Sequence, residues 1–198
     1  VAAICGRRLH KAQAVAVARS IPLAVDNITA LLDSNIDAVT LALPPVVAVE
    51  AAALALERGI PVLTEKPLAP DAESARRLAA TAAVKGITAM VDFTFQEVHA
   101  FKRLKQWIIG GQLGNVRAVN ISWLTHSFAH RSGLWSWKVD GQAGGGVMAA
   151  QGSHVFQLLR WLFGSVTLEF ARLDCAATVA ITPAGAKPAA DGAMLILK

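Results

Sequence analysis

The chain has 198 residues, 54% of them hydrophobic, and a formal net charge of +5, enough apolar material for one large domain or for a domain and part of a second. Its basic residues are scattered singly among apolar ones, with no Lys/Arg-rich run and no aromatic-interleaved basic stripe, so nucleic acid is not an expected partner. No apolar run approaches the ~20 residues that span a bilayer and no signal-type segment opens the chain, so no membrane association is expected and a soluble, cytoplasmic protein is.

Val1 to Cys5 is the first expected strand. A chain that begins inside a sheet is expected to be preceded by further residues in the parent sequence. Gly6-Arg7-Arg8 is then a basic turn, and Leu9 to Ser20 an alanine-rich helix closed by Pro22. Asp26 or Asn27 caps the next helix, whose Ile28, Leu31 and Leu32 form an i, i+3, i+4 stripe. Asp37 to Leu43 is an almost wholly apolar strand ended by Pro44-Pro45. A helix from Ala51 to Arg58 with Gly59 as its left-handed stop, a strand from Pro61 to Thr64, a helix capped by Asp71 and stopped at Gly86, and a strand from Ile87 to Phe93 follow. This strict alternation predicts an α/β fold with a doubly wound parallel sheet and right-handed crossovers.

The pattern changes after Phe93. Glu97 to Ile109 is an amphipathic helix ended by Gly110-Gly111, and Val116 to Leu124 alternates like a half-buried antiparallel strand. A polar, aromatic loop from Thr125 to Gln142 carries His126, His130, Trp135 and Trp137. Gly144-Gly145-Gly146 opens a helix from Val147 to Phe163, and Val166 to Lys198 gives strands around a Pro183 to Pro188 loop. Residues 94–198 are therefore expected to form an α+β domain with a mainly antiparallel sheet, cut short at its C-terminus, after a first domain over 1–93. Cys5 and Cys175 lie in strand-like apolar runs without metal-ligand spacing, so they are expected as reduced thiols and no metal site is expected.

The organising stretch is Val62-Leu63-Thr64-Glu65-Lys66-Pro67-Leu68. A buried strand delivers the Glu-Lys pair onto a proline, leaving the Lys66 ammonium at the strand's carboxyl end, where open α/β sheets bind ligands. An ammonium there can hydrogen-bond a reacting hydroxyl and stabilise the charge that develops on its oxygen. His154, near the start of the later helix, can accept a proton at neutral pH. An arginine fork such as Arg7-Arg8 suits a phosphate, which a carboxylate would repel.

Taken in order, Pro44-Pro45, Glu65-Lys66-Pro67-Leu68, Gly111-Gln112-Leu113-Gly114-Asn115-Val116, Gly144-Gly145-Gly146 leading to His154, and Leu158-Leu159-Arg160-Trp161-Leu162-Phe163-Gly164 resemble the glucose-fructose oxidoreductase, inositol dehydrogenase and rhizopine-catabolism (Gfo/Idh/MocA) family. The resemblance covers nearly the whole chain. It implies a Rossmann domain whose first strand and Gly-x-Gly-x-x-Gly turn would precede Val1, and a second domain that forms the substrate wall and an oligomer interface. The implied activity is hydride transfer between NAD(P) and a secondary alcohol of a sugar, cyclitol or related polyol, with a homo-oligomer, dimer or tetramer, as the expected assembly. It assigns Lys66 and His154 to catalysis, Gly6, Arg7, Arg8, Pro44, Pro45, Glu65 and Lys66 to the cofactor, and Lys66, Trp137, Lys138, Gln151 and His154 to substrate. Arg7 and Arg8 match the pattern of members that use NADP, the expected cofactor, with NAD as the alternative. Three departures stand out: Ala150 where the family usually has an aspartate four residues before the histidine, Ala48 where many members have a histidine, and Thr94-Phe95-Gln96 where Asn, Tyr or Arg is common. With these come an alternative, a member without turnover that senses a ligand or binds a partner.

Overall fold

Short parallel strands and the helices between them build the first half of the chain. They run β1 (Ala3–Cys5), α1 (Leu9–Arg19), β2 (Leu23–Val25), α2 (Ile28–Leu32), β3 (Val39–Leu41), α3 (Pro45–Glu57), β4 (Val62–Glu65), α4 (Ala72–Lys85) and β5 (Ala89–Asp92) in a computed structural model that describes all 198 residues. β1 pairs in parallel with β2, and β3 with β4 from Val39↔Val62 to Leu41↔Thr64; β5 completes the order β3-β4-β5. The parallel, doubly wound class holds, but the sheet is in two hydrogen-bonded pieces rather than one, because β1 and β3 share no ladder. Packing joins them: Ala3, Cys5 and Val25 lie against the cluster of Leu31, Val39, Leu41, Ala55, Leu56 and Val62.

Local chemistry sets most of the boundaries. The Asn27 side chain accepts the Ala30 N–H at 2.8 Å and starts α2, while Ser20 and Gly86, both in the left-handed region, end α1 and α4. Helix α3 begins six residues earlier than expected, at Pro45, because a proline at the first helical position lacks only an N–H that no helix would use. Buried Ala48, Ala51, Ala52 and Ala55 then form one small-residue stripe on which α3 lies close to the sheet. Strand β2 was not expected: three residues between Pro22 and Asp26 are too few to show a period, and pairing with β1 makes them a strand.

Helix α4 offers a direct check on capping. The Asp71 carboxylate accepts the Ser74 N–H at 2.7 Å and the Ser74 hydroxyl at 3.1 Å, and the Ser74 backbone bond above all holds its pKa below the usual aspartate value. A carboxyl depressed in the folded state contributes stability that is complete above its unfolded pKa and is lost as pH falls through the folded one. Asp71→Asn keeps an acceptor at the cap but removes the titration. Thermal midpoints measured below the ordinary aspartate pKa are therefore expected to fall less steeply with acid in Asp71→Asn than in the wild type.

The remainder forms a second compact unit, Asp92–Lys198, the first being Val1–Val91. It contains a 3-10 turn at Thr94–Glu97, α5 (His99–Ile109), α6 (Phe128–Ser132), a 3-10 turn at Trp137–Val139, a π-helical turn at Met148–Gly152, α7 (Ser153–Phe163), β6 (Leu168–Asp174), α8 (Ala176–Val179) and β7 (Gly192–Leu197). β6 and β7 are antiparallel, from Leu168↔Leu197 to Asp174↔Gly192, with an irregularity between Leu168 and Phe170. Three expectations are corrected here. Val116 to Leu124 alternates as a strand should but pairs with nothing, since alternation specifies a face and not a partner. The helix expected from Val147 starts with the π turn before α7. Cys175 caps α8 instead of lying in a strand. No helix is long and apolar enough to cross a membrane.

Candidate active site

In the first unit the singled-out residues follow the ends of parallel strands. Glu65 is the last residue of β4 and Lys66, half-buried, the next. The Glu65 carboxylate accepts the Lys66 backbone N–H at 3.2 Å, and the Lys66–Pro67 peptide bond is cis. Because Leu41 pairs with Thr64, Pro44 and Pro45 leave the sheet at the same edge as Glu65 and Lys66. Pro44 caps α3, Pro45 is buried within it, and Ala48 is only 2% exposed, turned into the core. The Ala48 methyl is thus a packing group.

Gly6, Arg7 and Arg8 connect β1 to α1. The Gly6 N–H bonds Val25 O at 3.0 Å, which pins the turn to the neighbouring strand, while both arginines are exposed. The turn carries no carboxylate, and its two guanidiniums are a donor set suited to a phosphate. Cys5, just before the turn, is kept a protonated thiol: burial pushes its pKa up and the Asp26 carboxylate adds to the shift. A cavity of 410 Å³ in this unit is lined by Ala52, Leu56, Leu78 and Ala82 among other apolar residues, with Thr64 as its one hydroxyl and Met90 as its one thioether. It contains no ionisable side chain.

In the second unit His154 is the second residue of α7, immediately after the π turn. Its imidazole stacks on Phe95 (ring centroids 4.8 Å, 23° between planes), meets Phe93 edge-on (6.0 Å, 79°) and lies 6.2 Å from the Trp123 ring. Phe95 is held in turn by Phe101 at 5.4 Å and Trp123 at 5.6 Å. Spacing along the chain gave no sign of this aromatic surround, because Phe93, Phe95 and Trp123 meet the histidine only through the tertiary fold. Ala150 is exposed whereas His154 is half-buried. Three residues after the histidine, the Gln157 side-chain oxygen is buried with no hydrogen-bond partner.

Gln151 donates from Nε2 to Thr125 Oγ1 at 3.0 Å. Trp137 and Lys138 form a 3-10 turn with the Lys138 ammonium 5.9 Å from the Trp137 ring centre, and this turn is fixed by the glycine run. Gly146 donates its N–H to Lys138 O at 2.8 Å, and a Cβ on Gly145 would lie 2.7 Å from Lys138 C and collide with Trp137 O. The glycines therefore seat the Trp137-Lys138 turn against the segment that leads into α7. His130 is committed to structure: one ring nitrogen is 2.9 Å from Ser127 Oγ and the other 3.0 Å from Thr178 Oγ1, whose residue is fully buried. No cluster of three or more His, Cys, Asp or Glu side chains is placed to hold a metal ion.

Residues 1–93 match the family described as an oxidoreductase family with an NAD-binding Rossmann fold, and residues 101–198 match the Gfo/Idh/MocA C-terminal domain. An uncharacterised oxidoreductase of Synechocystis sp. is 34% identical over 175 residues, covering 88% of this chain and 47% of the relative. Levoglucosan dehydrogenase of Pseudarthrobacter phenanthrenivorans is 29% identical over 133 residues, 67% of this chain and 34% of the enzyme. Among solved structures, KijD10, a 3-ketoreductase from Actinomadura kijaniata in complex with NADP and TDP-benzene, superimposes with a TM-score of 0.80 at 24% identity, over all of this chain and 57% of that one. This chain spans about half the length of these proteins or less.

Proposed function

The chain belongs to the Gfo/Idh/MocA family of NAD-binding oxidoreductases, and from that premise we propose that its parent protein transfers hydride between NADP and a secondary alcohol of a sugar, cyclitol or related polyol. The observation that carries the proposal is Lys66, set directly after β4 at the carboxyl edge of a parallel sheet. On this reading residues 1–93 are the dinucleotide-binding domain and 94–198 the substrate domain. When bound, the nicotinamide supplies or accepts the hydride. Lys66 donates a hydrogen bond to the substrate oxygen and stabilises its negative charge as the carbon–hydrogen bond breaks, and His154 takes the hydroxyl proton. Gln151, Trp137 and Lys138 hold the substrate, the indole against a sugar face and the ammonium against a hydroxyl or phosphate. The sugar-active relative supports the substrate class.

Pro44, Glu65 and Gly6 would line the dinucleotide, while Pro45, fully buried in α3, only sets the turn behind them. Arg7 and Arg8 would hold the 2′-phosphate that distinguishes NADP from NAD. Replacing both arginines by alanine is expected to weaken NADPH binding about tenfold or more while leaving NADH affinity unchanged, as read by nucleotide fluorescence. Equal loss for both nucleotides, or a wild type that prefers NADH, would contradict the assignment. A homo-oligomer, dimer or tetramer, is supported by the exposed Leu168, Phe170, Met194 and Ile196 on β6 and β7, where Phe170 pairs with Ile196.

Ala150 and the buried Ala48 favour a second reading, a member that retains the nucleotide but has lost turnover and senses a ligand. Titration with NADPH followed by a reduction screen over keto-sugars separates the two. The first reading expects consumption of NADPH with at least one keto-sugar; binding with no turnover of any of them supports the second.

A further inference from the structure

We infer that Phe95 is a positioning residue for His154. The inference rests on His154 being the proton acceptor, and it names what orients the ring in a chain whose residue 150 is alanine. Two observations carry it. The imidazole is stacked on the Phe95 ring at 4.8 Å and 23°, with Phe93 edge-on at 79°, so one ring covers a face and another an edge. Phe95 itself packs on Phe101 and Trp123 at 5.4 and 5.6 Å, so the surface behind the histidine is part of an aromatic cluster.

A carboxylate partner would orient an imidazole through a hydrogen bond to one ring nitrogen. A flat aromatic face does it differently: it fixes the plane of the ring, which leaves rotation within that plane to the other contacts and keeps the nitrogens directed along it. The 3-10 turn that carries Phe95 also places Phe93 two residues earlier, so one short segment after β5 supplies both the face and the edge. Phe95, the middle residue of Thr94-Phe95-Gln96, is thereby explained as part of the histidine's seat. Aliphatic replacements of similar volume at 95 would fill the space and lose the plane.

The test compares the wild-type protein with Phe95→Leu, Phe95→Met and the conservative Phe95→Tyr, reading the His154 imidazole protons by NMR alongside steady-state kinetics. Stacking on Phe95 is expected to shift those protons upfield in the wild type and in Phe95→Tyr. Both aliphatic variants are expected to lose the shift and to lower kcat on the order of 10- to 100-fold with the KM for NADPH unchanged, and Phe95→Tyr is expected to restore kcat. Phe95→Met keeps a packed, flexible side chain, so it serves where Phe95→Leu does not fold. Unmoved imidazole resonances in the aliphatic variants would overturn the inference whatever the kinetics show. Resonances that move while kcat does not would overturn Phe95's role in the reaction. A wild type that turns over no keto-sugar, with the ring-current shift intact, would instead take down the proton-acceptor reading and with it the catalytic part of the inference.

Discussion

Lys66→Met is expected to lower kcat about 100- to 1,000-fold while the far-ultraviolet circular dichroism and thermal midpoint stay at wild-type values. The two halves of this result have separate causes. Methionine matches the lysine stem in length and flexibility, and residue 66 lies just beyond the last residue of β4, so neither the Val39–Leu41 pairing with Val62–Thr64 nor the core behind it changes. On the proposed mechanism the ammonium meets the negative charge that grows on the substrate oxygen, and the replacement has no donor. Lys66→Arg should recover part of the rate, since it restores charge with a different donor geometry. Full turnover in Lys66→Met would remove the lysine from the mechanism.

Gly145→Ala is the substitution expected to cost most in stability, about 3 kcal/mol, or roughly a 10 °C drop in thermal midpoint. A methyl group there collides with Trp137 O and lies 2.7 Å from Lys138 C and Lys138 O, all backbone atoms that cannot rotate away. Relief requires the Trp137–Val139 turn to move, which breaks the Gly146 N–H bond to Lys138 O and strains the Val147 N–H bond to Ala190 O. Calorimetry is the direct check. Gly185→Ala is a useful companion, because Gly185 is left-handed with open space around it and its cost is confined to backbone conformation. A Gly145→Ala protein as stable as the wild type would mean that the turn is not seated as described.

Both results depend on features that differ in how plainly the residues announce them. Where one side chain acts on its own backbone, sequence is sufficient: Asp71 and Gly86 bracket α4, and the proline after Glu65-Lys66 leaves the lysine just past a strand. Where a feature needs a distant partner, pattern misleads. Val116 to Leu124 has the alternation of a strand and no neighbour, while Leu23–Val25 has too little sequence to show alternation and gains a neighbour in β1. The same division runs through the candidate site. Lys66 is legible because its place follows from local order along one strand. The seat of His154 is not, since Phe95 and Trp123 are 28 residues apart in sequence and 5.6 Å apart in space. The glycine run is an intermediate case: its helix-opening position could be read, but its contact with the Trp137-Lys138 backbone required the fold.

Product labelling tests hydride transfer to a carbonyl carbon most directly. Incubating the full-length protein with NADPH deuterated at its transferring carbon, together with a panel of keto-sugars, is expected to place one deuterium on the new carbinol carbon of at least one product, with the label lost in Lys66→Met. Tight NADPH binding without deuterium in any product would contradict it.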